Sequence, residues 1–136
     1  MINRKFLLIV TCIYLGISGL GLTFLPQEIA EFFTGESNPS LILTFQLIGS
    51  LYLGFCMVNW MTKSNLVGGI YLRPLVVGNF MHFLVSAFAL IKSINDYDGP
   101  PQTAIIIVAI IYSFFALFFG YLMMSNPQKI GKDDNG

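Results

Sequence analysis

Four long apolar stretches divide the chain, at residues 6–25, 41–61, 74–94 and 103–124, and the only charged side chain inside any of them is Lys92, close to the end of the third. Each is about as long as a helix must be to cross the roughly 30 Å hydrocarbon core of a bilayer. The pattern predicts an all-α fold: a polytopic membrane protein built as a single domain, residues 1–136, forming a four-transmembrane-helix bundle. A secretory signal peptide is the rival reading of the first stretch, but the apolar run exceeds the usual h-region and no small-x-small cleavage site follows it.

The connections carry their own signals. Residues 26–35 begin with Pro26, place Glu28 in the first turn and end on Gly35, which predicts a short helix. Ile29, Phe32 and Phe33 recur at helical spacing while Glu28 and Glu31 fall elsewhere, so this helix is expected to lie at the membrane interface between spans one and two with its aromatics turned inward. The third connection carries Asp96, Asp98, Gly99 and a Pro100-Pro101 pair, read as a helix break. The second carries Gly68-Gly69, read as a turn. Residues 125–136 read as a loose polar tail.

Polar positions inside the spans change the picture from a generic anchor to a bundle with an interior. In the third span Gly78, Asn79, His82 and Ser86 share one face, which is expected to turn inward, while Phe80, Leu84, Phe88 and Ile91 take the opposite face toward lipid or an apolar partner. The second span holds Gln46, Ser50, Tyr52, Cys56 and Asn59, with Ser50 and Gly54 spaced for close helix contact, and the first holds Gly16, Ser18, Gly19 and Gly21. The fourth span is apolar almost all round and is expected to expose much of its surface to lipid. A depth count at about 1.5 Å per residue sets His82 level with Tyr52, making Tyr52 or Ser50 its expected partner. The same count sets Cys12 and Cys56 at equal depth, where contact is permitted and two free, inert thiols are expected.

Composition confirms the solvent. With 55% hydrophobic and 10% charged residues in 136, the chain is too apolar to hide its surface in one small soluble core. Formal net charge is zero, so no nucleic-acid partner is expected. The basic residues are sorted by position: Arg4, Lys5, Lys63, Arg73, Lys129 and Lys132 fall on one side of a four-span chain against Lys92 on the other, which predicts cytoplasmic termini in a bacterial inner membrane. Arg73, Trp60 and Lys63 are the expected anchors at that cytoplasmic interface.

Chemistry is thinly supplied. One His, two separated Cys and no carboxylate within a span give no metal cluster, no haem site and no orienting acid for a nucleophile, so no metal, cofactor or catalytic residue is expected and the enzyme reading is weak.

The layout of four short-looped spans, the Phe24-Leu25-Pro26 close of the first, the acidic surface helix, and the run from Gln46 through Gly49, Ser50 and Tyr52 to Gly54 together resemble small DoxX-like membrane proteins. That family takes its name from a subunit of a quinone-linked complex, and no functional residue transfers by motif. Two expectations of different class follow. One is a non-catalytic accessory or structural subunit of a larger membrane complex or homo-oligomer. The other is a bundle whose internal pocket takes a lipid-like or quinone-like molecule, with His82, Asn79, Tyr52, Ser86 and Gln46 as candidate binding residues. A pocket opening beside His82 would separate the two.

Overall fold

The structure, a computed structural model, describes residues 4–63 and 72–124. It is helical, with no strand among these residues: α1 spans Arg4–Phe24, α2 Pro26–Thr34, α3 Pro39–Thr62, α4 Leu72–Ser93 and α5 Pro100–Met124, with a 3-10 turn at Ile94–Asp96 between the last two. Helices α1, α3, α4 and α5 are each long and apolar enough to cross a membrane. The Gly68-Gly69 turn and the tail lie outside the described residues.

Local chemistry sets the ends. Gly35 closes α2 in the left-handed region at φ 72°, and its N–H bonds the Glu31 carbonyl, a conformation glycine adopts without a Cβ penalty. Asn38 caps α3 by accepting the Leu41 N–H at 2.9 Å, ahead of Pro39 at the first helical position. The Pro100-Pro101 pair opens α5 rather than standing in the connection before it. A proline there forfeits only an N–H that the first turn leaves unpaired.

Two tight helix pairs make the bundle, α1 with α3 and α4 with α5. Between α1 and α3 the backbones nearly touch. A Cβ on Gly19 would stand 2.9 Å from the Gly49 carbonyl, and one on Gly49 would stand 2.8 Å from the Gly19 carbonyl and 2.9 Å from the Thr23 nitrogen. Small residues at such a crossing let helices associate when lipid offers no hydrophobic drive. Gly54, expected in a similar contact, has nothing within 4 Å of its Cβ position and points out of the bundle. In the other pair, Phe83 of α4 stacks on Phe115 and Phe119 of α5 at centroid distances of 4.8 and 5.9 Å, and Phe80 lies against Gly120.

The pairs meet across an aromatic interior. Tyr14 of α1 reaches the rings of Tyr112 and Phe115 on α5, and α3 faces α4 through polar and aromatic side chains described below.

Helix α5 exposes Ile107, Ile110, Phe114, Leu117 and Tyr121, as expected of a span apolar almost all round, yet it also buries Ile105, Ala109, Tyr112, Phe115, Ala116, Phe119 and Leu122 along its other face. The outer position belongs to α3, in which only Gly49 and Asn59 are buried. Of the α4 face expected toward lipid or an apolar partner, Phe88 and Ile91 are exposed and Phe80 and Leu84 pack against the apolar core.

Candidate functional site

The interior polar residues form three levels between α3 and α4. At the lowest level, Asn59 and Asn79 are fully buried and exchange two hydrogen bonds: the Asn59 amide donates to Asn79 Oδ1 at 3.0 Å and the Asn79 amide to Asn59 Oδ1 at 2.9 Å. Asn79 also donates to the Leu75 carbonyl at 2.9 Å. Every heavy polar atom of the two carboxamides is therefore engaged at least once, which makes this level a clamp between helices.

One turn higher, His82 sits in a cage of rings. Phe55 stacks on it at 5.4 Å, Tyr52 meets it edge-on at 5.4 Å, and Phe83 and Tyr112 close the other sides at 5.0 and 5.7 Å. The expected partner at this depth is present but the expected bond is not: Tyr52 offers His82 its ring and gives its hydroxyl to Tyr112, at 2.5 Å. Ser50 faces away from the bundle and donates to its own helix at the Leu47 carbonyl. His82 Nε2 is buried without a hydrogen-bond partner among the described residues.

The third level is a cavity of about 470 Å³. It begins at the Tyr52–Tyr112 hydroxyl pair and Ser86 and extends past Phe45, Leu90, Ile105 and Val108 to a mouth formed by Phe33 and Thr34 of α2, Leu41, Ser93 and Tyr97. From Tyr52 to Leu41 the wall along α3 is eleven residues, about 16 Å. Phe33 and Tyr97 touch edge to face across the mouth, so the short α2 helix supplies one lip. A cavity of this size, mostly apolar with a few convergent hydroxyls, has the form of a small-molecule site. The two hydroxyls bond each other, the Tyr14 hydroxyl stands beside Tyr112 as a third, and their oxygens keep lone pairs toward the cavity.

Of the residues expected to line a pocket, Tyr52 and Ser86 do so. Asn79 and His82 lie outside its lining, so no pocket opens beside His82 itself and the cavity starts above the rings that enclose it; Gln46 is exposed on the outer side of α3, bonded by none of the described residues. Tyr112, Tyr97, Phe45 and Phe33 were missed as lining residues. For Tyr112 a signal existed: a tyrosine in the middle of a span, away from the interfacial belts that this residue favours, needs an interior partner for its hydroxyl.

The three residues expected at the cytoplasmic interface lie at helix ends. Trp60 is exposed with the Lys63 ammonium over its ring, a cation–π pair at the end of α3, and Arg73 is exposed at the start of α4. Among the described residues no group of three or more His, Cys, Asp or Glu converges. Comparison of the chain with protein-family models, curated proteins and solved structures gave no match, so geometry alone carries the functional reading.

Proposed function

We propose that this protein is a non-catalytic membrane binding module, which receives the head of a lipid-like or quinone-like molecule in the cavity above Tyr52 and Tyr112. The observation that carries the reading is the pairing of those two hydroxyls in a mostly apolar cavity between spanning helices. A carbonyl or hydroxyl head hydrogen-bonds this tyrosine pair, Ser86 adds a further hydroxyl, and Phe45, Leu90 and Val108 hold the adjoining apolar body. His82, held by four rings just beneath, keeps Tyr52 and Tyr112 in register and acts as a positioning residue.

The outer face of α3 supports a second reading, membership of a homo-oligomer or larger membrane assembly. Gln46, Ser50 and Gly54 follow one another at four-residue spacing on that face and are all exposed. A carboxamide directed into lipid is costly and finds a partner when a second small-residue face packs against it. The basic residues favour a bacterial inner membrane with both termini in the cytoplasm, which turns the cavity mouth outward.

One experiment addresses both readings: native mass spectrometry of protein extracted in lipid discs, with identification of the released small molecules. Wild type is expected to release a bound lipid or quinone, and Ser86→Phe, which fills the cavity floor, to lose it while His82→Ala retains it at least in part. An unchanged profile of released molecules in a folded Ser86→Phe protein would refute the cavity reading. A strictly monomeric mass would refute the homo-oligomer.

A further inference from the structure

Cys12 of α1 and Cys56 of α3 are free thiols whose sulfurs lie 2.8 Å apart. Their meeting is imposed by the backbone. Cys12 and Gly19 are seven residues apart on α1, Cys56 and Gly49 seven apart on α3, and Gly19 and Gly49 are in backbone contact. Seven residues are about two helical turns, so the antiparallel register that joins the glycines also joins the thiols. A third glycine completes the fit: a Cβ on Gly16 would lie 3.2 Å from Cys56 Sγ, so the sulfur occupies the space that this glycine leaves beside Cys12.

We propose that Cys12 and Cys56 form a redox-active dithiol, oxidised by a membrane-permeant disulfide to an intramolecular bond that joins α1 to α3. The half-buried Cys56 attacks first, as its thiolate, on one sulfur of the incoming disulfide. That S–S bond breaks, the first thiol leaves with the proton Cys56 gave up, and a mixed disulfide forms on Cys56. Cys12, fully enclosed at 6% exposure and already in contact, then attacks Cys56 Sγ and expels the second thiol, which takes the proton of Cys12. The two cysteines are oxidised by two electrons and the incoming disulfide is reduced to two thiols. On the cytoplasmic orientation proposed above, the couple faces a reducing compartment, where protein disulfides are working intermediates rather than fixed staples. This couple is separate from the cavity, and neither sulfur lines it.

Full-length protein in lipid discs, treated with dithiodipyridine as the disulfide and followed by pyridinethione release and intact mass, tests the assignment. Wild type is expected to release two thiones per chain, retain no thiopyridyl group, lose two hydrogens in mass and stay monomeric on a non-reducing gel. Cys12→Ser is expected to release one thione and keep one thiopyridyl group on Cys56, and Cys56→Ser, which leaves only the enclosed Cys12, is expected to release thione far more slowly than wild type. Two retained adducts on wild type, disulfide-linked dimers, or no thione release would each overturn the proposal.

Discussion

Asn59 and Asn79 each satisfy the other, and that reciprocity determines what replacing them does. Asn79→Leu strands the Asn59 carboxamide between helices with neither water nor partner, so a loss of about 1–3 kcal/mol is expected, by the cost of an unpaired buried polar group. Replacing both by Leu removes the orphan along with the bond and should recover most of it. Within the membrane an interhelical hydrogen bond is worth on average about 0.6 kcal/mol, because the separated helices also find partners. A double-mutant cycle on denaturant unfolding in mixed micelles measures the difference, and a double variant as unstable as either single one would contradict the clamp. The residue-level reading from sequence was right that Asn79 turns inward and short on its purpose, since spacing shows which face a carboxamide shares but not which group meets it.

At the scale of elements, the α1–α3 crossing rests on glycine. Gly49→Leu puts a side chain where the Gly19 carbonyl and the Thr23 backbone already stand, so the helices must part and the sulfurs of Cys12 and Cys56 separate with them. The expected result is a Tm lower by several degrees and a loss of intramolecular disulfide formation. Gly54→Ala is the contrast on the same helix, with open space at its Cβ position. There the gain in helix propensity, about 0.5–1 kcal/mol, is unopposed, and a stability equal to or above wild type is expected. Thermal unfolding of the two variants side by side decides the matter. Equal damage from both would mean that glycine acts through backbone flexibility and not through contact. From spacing alone Gly54 stood as the contact glycine and Gly49 beside it, and the structure reverses their weight, because a small residue marks a close approach only when another backbone arrives opposite it.

For the whole molecule, four crossings of α1, α3, α4 and α5 put both chain ends on one side, and the basic residues of those ends and of the connection between α3 and α4 outnumber Lys92 on the other side. Reporter fusions read this directly. Fluorescent protein joined after Gly136 is expected to light up and alkaline phosphatase joined there to stay inactive, the reverse pair of results showing that the charge asymmetry does not set the orientation. The same arrangement places the α2 helix, with Glu28 and Glu31 exposed, at the end of the bundle opposite the start of α1, where its Phe33 shapes the cavity mouth.

The sequence by itself determined the four spans, the short helix closed by Gly35 and the inward turn of Asn79, because the hydrogen-bonding demands of a backbone in hydrocarbon leave helices as the only form such uncharged runs can take. Only the tertiary structure decided that α1 pairs with α3 and α4 with α5, that α5 is the core helix and α3 the outer one, that Gln46 points away from the bundle, and that Tyr112 completes the cavity floor. The physical reason lies in the solvent. In water, burial sorts apolar from polar side chains and writes the inner face of a helix into its periodicity, whereas lipid is as apolar as the interior and removes that contrast. What then selects partners is shape, the glycine opposite a carbonyl and the hydroxyl opposite a hydroxyl, and shape complementarity exists only once two helices are side by side.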